Sequence, residues 1–336
     1  MKPPIFIVGA NRSGTTLFRL ILNRHSEIAI PDELSYFRGP FFRAGKGHWR
    51  GDQIRRDQYE RFVTRFIRNT AETVHPLDAD ELLQNLISRE HPDLRTPYEF
   101  VLSSWAAAHG KECWGEKTPG NLFHAPVIRE MFPDARFVYM VRDPRAGTSS
   151  MQQASIFGED IVINTLNRLH YMTAGLRLLE NTVPEGSRYL LRYEDLITEP
   201  EQTLRSICRF LDIEFEPAML AHHEDAEEFM KARALNDFSK TATSPIDPTR
   251  IGSWRKTMST REIAIVEWLC REEMLRFGYP LDGARLSIVD RFSVPVRSLY
   301  WHLHMWRNRN VPQYQVRHGL FPRLTNRIVQ PVQTSQ

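Results

Sequence analysis

Short apolar runs alternate along the chain with stretches whose apolar residues recur at helical spacing. Residues 5–8 (Ile-Phe-Ile-Val) are apolar at every position and end at Gly9, which is typical of a strand buried on both faces. Residues 136–141 and 189–193 have the same character. Because helical stretches follow these runs, the pattern predicts right-handed βαβ units and a mainly parallel sheet.

The same patterning locates helices around this sheet. One helix is predicted to begin at Thr15 and to end near residues 23–25, and another to begin near Ala146. Residues 50–112 carry apolar side chains at helical spacing and predict helices that cover the sheet. A short strand at residues 28–30 is predicted to run parallel beside the first strand.

Composition is typical of a soluble globular protein, with 41% hydrophobic and 25% charged residues. The 44 basic and 41 acidic side chains give a net charge of +3, which is too even to favour a nucleic acid partner. Apolar runs stay well below the ~18 residues of a membrane span, and residues 1–4 lead directly into the first strand, so we expect no targeting segment. Three cysteines at unrelated spacings favour a reducing compartment, and we expect a cytoplasmic protein.

Two later segments fall outside the alternation of strands and helices. Residues 236–253 are rich in Ser, Thr, Pro and Asp, which predicts a long loop. Residues 286–336 are basic and aromatic, and we expect an extension that packs its aromatic side chains on a domain formed by residues 1–285. Contact of this extension with a membrane surface or a partner is the alternative.

The cluster His222-His223-Glu224-Asp225 contains residue types that bind metal ions. It lacks the i, i+4 spacing of a helical metal site. The other histidines are scattered along the sequence. We therefore interpret the cluster as a solvated face and expect no metal site.

The most informative segment is residues 9–16 (Gly-Ala-Asn-Arg-Ser-Gly-Thr-Thr), between the first strand and the first helix. Backbone N–H groups in such a turn, together with the helix dipole, favour a bound anion. The segment fits the phosphate-loop frame G-x-x-x-x-G-K-[ST], except that Thr15 replaces the lysine that contacts the terminal phosphates of a nucleoside triphosphate. Arg12 supplies a positive charge inside the loop instead. The absence of the lysine argues against an ATPase or a kinase.

Arg12-Ser13-Gly14-Thr15-Thr16-Leu17 resembles the 5′-phosphosulfate loop of sulfotransferases that use 3′-phosphoadenosine 5′-phosphosulfate (PAPS). Its arginine version is similar to that of the protein-tyrosine sulfotransferases and many bacterial relatives. The resemblance implies an α/β fold, a single P-loop-like three-layer domain with a central, mainly parallel sheet flanked by helices. It also implies PAPS as the donor, 3′-phosphoadenosine 5′-phosphate (PAP) as the product, and residues 12–16 as part of the nucleotide site.

A second block strengthens the resemblance. Arg142 follows the strand 136–141, and Ser150 lies eight residues later, about two helical turns away. This matches the family's 3′-phosphate site, in which an arginine at a strand end and a serine in the next helix contact one phosphate. The resemblance therefore implies that Arg142 and Ser150 bind the 3′-phosphate of the nucleotide.

Three further segments extend the resemblance to residue 256. Residues 116–121 contain Lys117 and resemble the family's lysine-containing segment. Residues 192–196 resemble its third-strand motif, whose tyrosine, here Tyr193, lies near the nucleotide. Residues 251–256 resemble the late G-x-W-[RK] segment that closes over the nucleotide, which assigns Trp254, Arg255 and Lys256 to it.

The reaction that the resemblance implies is in-line transfer of a sulfuryl group to a hydroxyl without a metal, with Arg12 and Lys117 stabilising the developing charge. An attacking hydroxyl must lose its proton, and a carboxylate within hydrogen-bond reach can take it. Glu33 lies 21 residues after Arg12, and this matches the position of the catalytic glutamate in the protein-tyrosine sulfotransferases. Asp32 is the second candidate for the base and His25 the third.

The acceptor has no readable code in the sequence. We expect a hydroxyl of a carbohydrate, a glycolipid or another small metabolite, and a peptide tyrosine as the second choice. Its pocket is expected in the regions of about 36–112 and 225–250. Two other functions stay open: an ATP-dependent P-loop kinase or nucleotide-binding protein, and a binding protein that has lost the chemistry.

Overall fold

A central sheet of five parallel strands organises the computed structural model, which describes residues 2–38, 54–89, 93–154, 158, 160–224 and 242–307. The strands lie in the order β2-β3-β1-β4-β5, and every neighbouring pair is parallel. They are β1 (Ile5–Gly9), β2 (Ile28–Ala29), β3 (Cys113–Lys117), β4 (Arg136–Val141) and β5 (Arg188–Arg192). Because the strands are parallel, their carboxyl ends share one edge of the sheet, where ligands of open α/β folds bind.

Helices cover both faces of this sheet, which confirms the three-layer α/β fold expected from the sequence. They are α1 (Thr15–Asn23), α2 (Arg56–Thr70), α3 (Ala79–Ile87), α4 (Arg95–Ala108), α5 (Ala125–Met131), α6 (Pro144–Gln152), α7 (Ile161–His170), α8 (Leu176–Thr182), α9 (Tyr193–Thr198), α10 (Pro200–Leu211), α11 (Thr260–Arg276) and α12 (Ile288–Arg307). Alternate residues of β1 point to opposite faces: Phe6 packs with α2–α5, and Ile7 packs with α1, α9 and α10.

The predicted position of β2 is wrong. This strand pairs with β3, with Ile28 opposite Cys113, and β3 separates it from β1. The apolar pattern does not reveal β3 because its carboxyl half carries two charged residues, Glu116 and Lys117. Both side chains are buried in spite of their charge. Strand β3 is thus a central strand whose polar end belongs to the functional edge of the sheet.

The helices next to the phosphate loop and β4 begin close to their predicted positions. Helix α1 begins at Thr15, as predicted, and ends at Asn23. Helix α6 begins at Pro144, two residues before the predicted start. Proline is favoured in the first turn of a helix, and the Asp143 side chain caps the helix by accepting from the backbone N–H of Arg145.

The described part of the C-terminal extension forms helix α12, which packs against α7. Val294 and Trp301 are buried in this contact, and the Trp301 indole donates to Asn167 Oδ1 over 2.9 Å. Arg297 forms an ion pair with Asp160, the residue that caps α7. Residues 308–336 and 236–241 lie outside the described part of the chain. Helices in the described ranges are all too short or too polar to cross a membrane.

The histidine cluster differs from the expected solvated face. His222, which follows the short turn Pro217–Ala221, is buried rather than exposed. Burial and the neighbouring His223 lower the pKa of His222. No group of His, Cys, Asp and Glu side chains in the described ranges is arranged to hold a metal ion.

Candidate active site

The phosphate loop occupies residues 9–14, between β1 and α1. Gly9 has a φ of 145°, and a side chain there would meet the Met140 carbonyl oxygen at 2.4 Å. Gly14 has a φ of 91°, and a side chain there would meet the Tyr193 ring at 2.4 Å. Only glycine fits either position. Gly14 caps α1 without a side-chain hydrogen bond, so the N–H groups of the first turn remain available for an anion.

Arg12 links the loop to the second block. It adopts a left-handed conformation with a φ of 65°, and its Nε donates to Ser150 Oγ over 3.0 Å. Arg142 in turn donates to the Arg12 carbonyl oxygen over 3.2 Å. The structure thus brings Arg12 together with Arg142 and Ser150, which lie far from it in the sequence. Thr15 and Thr16 complete the loop as the first residues of α1.

A third arginine, Arg168, also supports the phosphate loop. The sequence patterns do not predict it as a site residue. Arg168 of α7 donates to the Asn11 carbonyl oxygen over 2.7 Å and to Ser13 Oγ over 3.2 Å. Its side chain crosses the α6 backbone at Gly147, where a Cβ would lie 1.8 Å from the guanidinium carbon. The spacing between Ile161 and Arg168 places both on one face of α7. A charged residue on this apolar face is the signal by which the sequence could have revealed Arg168.

The Arg142 guanidinium repels those of Arg12 and Arg168. Burial and the charge of Arg142 lower the pKa of Arg12, and they lower the pKa of Arg168 to about 10. Among the described residues, no carboxylate pairs with Arg142 or Arg168. The Nε atoms of these two side chains are buried and have no hydrogen-bond partner there. Buried donors and unbalanced positive charge make this a site for a multiply charged anion.

Lys117 forms a second centre with the candidate bases. It ends β3, is 2% exposed, and lies beside Ile7 of β1 in the sheet register. Its Nζ lies 2.9 Å from Glu33 Oε1 and 3.2 Å from Asp32 Oδ1. The two carboxylates are 25% and 18% exposed, respectively, so a molecule from solvent can reach them.

A buried acid lies behind this centre. Glu116 accepts hydrogen bonds from Thr118 Oγ1 and Asn121 Nδ2, and all three side chains are buried. Burial, together with the nearby charge of Glu33, raises the pKa of Glu116 to about 7. Glu116 is a second functional-site residue that sequence reasoning missed, because a glutamate in the middle of β3 has no periodicity that distinguishes it.

Tyr193 is the first residue of α9, one position after β5. The Arg142 guanidinium lies 4.2 Å from the centre of the Tyr193 ring, which also packs against Gly14. A guanidinium at this distance from an aromatic face is attracted to it and is held in place. Tyr193 therefore connects the phosphate loop to Arg142.

The Trp254 segment follows a left-handed glycine, Gly252, and forms the short turn Ser253–Lys256. The Trp254 ring is buried between the guanidinium groups of Arg145 and Arg255, each 4.2 Å from its centre. Arg255 also pairs with Asp282 over 2.8 Å. Lys256 is exposed next to them. The segment is thus anchored to the start of α6, close to the second block.

His25 lies apart from this site. It precedes β2, at the opposite edge of the sheet from Glu33, and its Nε2 is 2.8 Å from the Glu214 carbonyl oxygen. A histidine buried in this way cannot take a proton from an acceptor at the strand carboxyl ends. Residues 39–53 and 225–241, which belong to the regions expected to bind the acceptor, lie outside the described part of the chain.

Proteins of known function resemble this chain in sequence. The Drosophila melanogaster protein-tyrosine sulfotransferase is 25% identical over 259 residues, which cover 76% of this chain and 46% of that protein. Protein-tyrosine sulfotransferase 1 of Homo sapiens is 28% identical over 261 residues, which cover 76% of this chain and 63% of that protein. The chain therefore spans less than two thirds of the length of either relative.

Solved structures share the fold. The sulfotransferase domain from the curacin biosynthetic pathway matches with a TM-score of 0.59 and 20% identity, covering 84% of this chain and 99% of that domain. The model of the sulfotransferase family matches residues 3–217, which include the phosphate loop, Lys117, the second block and Tyr193. With this match over more than half of its length, the chain belongs to the sulfotransferase family.

Proposed function

We propose that the chain transfers a sulfuryl group from PAPS to an acceptor hydroxyl, with Glu33 as the general base. The observation that carries the proposal is the group of three arginines around the phosphate loop, Arg12, Arg142 and Arg168. Two of them have buried donors without partners among the described residues. PAPS carries a phosphosulfate and a separate phosphate, so it fits a site with cations on two sides of one loop.

Each end of the donor has its own residues in this proposal. The loop, Arg12 and the N–H groups at the start of α1 hold the 5′-phosphosulfate. Arg142, with its partnerless Nε, and Ser150 hold the 3′-phosphate. Tyr193 keeps Arg142 oriented. The absence of the phosphate-loop lysine at Thr15 is consistent with this division and disfavours a nucleoside triphosphate.

The chemistry assigns one role to each charged group. The acceptor oxygen forms a bond to sulfur while the bond between sulfur and the phosphate oxygen of the donor breaks. Glu33 takes the hydroxyl proton, and Arg12 and Lys117 stabilise the negative charge that develops on the departing phosphate oxygen. Lys117, 2.9 Å from Glu33, also holds the base in position.

For the acceptor we propose a hydroxyl of a carbohydrate, a glycolipid or another small metabolite. A peptide tyrosine is the second candidate, favoured by the names of the relatives that match at 25–28% identity. Incubating the chain with labelled PAPS and representatives of each class, followed by mass spectrometry of the products, separates the two.

The role of Glu33 is tested with Glu33→Gln and Asp32→Asn. We expect Glu33→Gln to keep PAP binding within about twofold but to lose at least ~100-fold in turnover, the low end of what a general base contributes. Asp32→Asn keeps the other carboxylate beside Lys117 and serves as the matched control. If Asp32→Asn is inactive and Glu33→Gln is not, the base is Asp32. If both turn over normally, neither carboxylate takes the proton.

A further inference from the structure

One face of helix α12 exposes an unbroken apolar stripe to solvent. Ten large apolar side chains are exposed in the described ranges, and six of them belong to this helix. They are Ile288, Val289, Phe292, Val296, Leu299 and Leu303, with exposed fractions between 56% and 76%. Their spacing of three or four residues places them on one side of the helix. Exposed apolar patches of this kind mark interaction surfaces.

The opposite face of α12 is fixed to the protein. Val294 and Trp301 are buried against α7, and Asp290 is buried in an ion pair with Arg261 of α11. The helix therefore cannot rotate to bury its apolar stripe without losing these contacts. The stripe is a stable feature of the surface, and its partner must come from outside the described fold.

Charge indicates the partner. Residues 286–336 contain seven arginines and a single acidic residue, the buried Asp290, whereas residues 1–285 contain 37 basic and 40 acidic side chains. The positive charge of the whole chain thus comes from this extension. On the exposed face of α12 the stripe is flanked by Arg291 and His302 and contains no acidic side chain. A helix with an apolar face and basic flanks is suited to the interface of an anionic bilayer.

We propose that α12 docks the protein on the surface of an anionic membrane, with its apolar stripe inserted among the lipids and Arg291 at the headgroups. A second copy of the chain is a poorer occupant, because pairing two such faces brings Arg291 of each copy to an interface with no acidic side chain to match it. Helix α12 rests on α7, the helix that carries Arg168, so docking also fixes the phosphate loop relative to the membrane. The proposal does not depend on the reaction that the protein catalyses.

Co-sedimentation of the full chain with vesicles tests the proposal. We expect at least ~10-fold more protein bound to phosphatidylcholine mixed with phosphatidylglycerol than to phosphatidylcholine alone, and less binding as salt is raised. The double variant Phe292→Ser/Leu299→Ser should reduce binding to the anionic vesicles by at least ~10-fold. Leu275→Ser, which changes an exposed leucine of α11, is the matched control and should bind as the wild type does.

Several outcomes would overturn the proposal. Equal binding to both kinds of vesicle would show that anionic lipid is not recognised. Undiminished binding of the double variant would show that α12 is not the contact. If sedimentation velocity finds a wild-type dimer that the double variant breaks, a second copy covers the stripe instead. Circular dichroism and PAP binding of the variant should match the wild type, because both serine substitutions are at exposed positions.

Discussion

At the scale of single residues, the charges of the site fall into two groups. Arg142 and Arg168 lack carboxylate partners among the described residues, and together with Arg12 they surround the phosphate loop. Lys117 is instead matched by Asp32 and Glu33. The first group suits a donor that brings its own negative charge, and the second suits a neutral acceptor that gives up a proton.

Glu116, the neighbour of Lys117 in β3, should make the free energy of unfolding depend on pH. Its folded-state pKa is raised from 4.5 to about 7 by burial, so the unfolded chain loses this proton at lower pH than the folded chain does. The stabilising contribution of the protonated form is complete below the unfolded-state pKa and is lost as pH rises through about 7. As pH rises from about 4.5 to about 7, we expect the free energy of unfolding of the wild type to fall by roughly 3 kcal/mol relative to that of Glu116→Gln.

Denaturant titrations of both proteins at several pH values between these limits measure the difference. Glu201→Gln removes an exposed carboxylate of α10 that pairs with Arg205, and this control should show no comparable trend. A wild type and a Glu116→Gln variant that respond identically to pH would mean that Glu116 is already ionised, or is not buried, in the folded protein.

At the scale of elements, α6 and α7 each contribute a buried arginine, and the two have opposite surroundings. Arg145 and Arg168 are both 1% exposed. Arg145 pairs with Asp143 over 2.8 Å and with Glu267 over 2.7 Å, which joins α6 to α11. Arg168 has only loop oxygens as partners among the described residues. Arg145 therefore stabilises the fold through buried ion pairs, whereas the equally buried Arg168 contributes positive charge to the anion site.

Replacing each arginine by methionine should separate these two roles. Arg145→Met leaves two buried acids unpaired, so we expect a loss of about 3–5 kcal/mol in the free energy of unfolding. Arg168→Met removes a cation that has no buried acid to leave behind, and we expect PAP binding to weaken by about 10- to 150-fold. Chemical denaturation without nucleotide and calorimetry with PAP give the two measurements. A larger stability loss for Arg168→Met than for Arg145→Met would make Arg168 a structural residue.

The same elements show what the sequence reveals and what it does not. Strands β1 and β4 and the start of α1 are found from apolar runs and turn chemistry, because these signals are local. Strand β3 is missed, since the charges of Glu116 and Lys117 interrupt its apolar pattern, and the partners that compensate Lys117, Asp32 and Glu33, lie far away in the chain. Arg168 is missed for the same reason, as its target loop lies 155 residues earlier in the sequence. Local sequence patterns thus predict the strands and helices of the fold. The buried charged residues of the site depend on contacts between distant parts of the chain, which local patterns do not show.

At the scale of the whole molecule, the parallel sheet gathers distant residues at one edge. The phosphate loop follows β1, Lys117 ends β3, Arg142 follows β4, and Tyr193 follows β5. Helix α7 adds Arg168 from the side. A nucleotide bound at this edge therefore contacts elements from all parts of the domain, and its binding energy adds to the stability of the entire fold.

Thermal unfolding with different nucleotides tests this consequence and also separates the proposed function from an ATP-dependent one. PAP at about 100 times its dissociation constant should add roughly 2.7 kcal/mol to the free energy of unfolding. At the same concentration AMP, which lacks the 3′-phosphate, and ATP with magnesium should stabilise the protein much less. In Arg142→Ala the advantage of PAP over AMP should shrink by about 10- to 150-fold in affinity, because the lost contact is specific to the 3′-phosphate. If ATP with magnesium stabilises the protein more than PAP does, the site binds a nucleoside triphosphate. If Arg142→Ala keeps the full preference for PAP, the 3′-phosphate is held by residues other than the pair at the end of β4 and in α6.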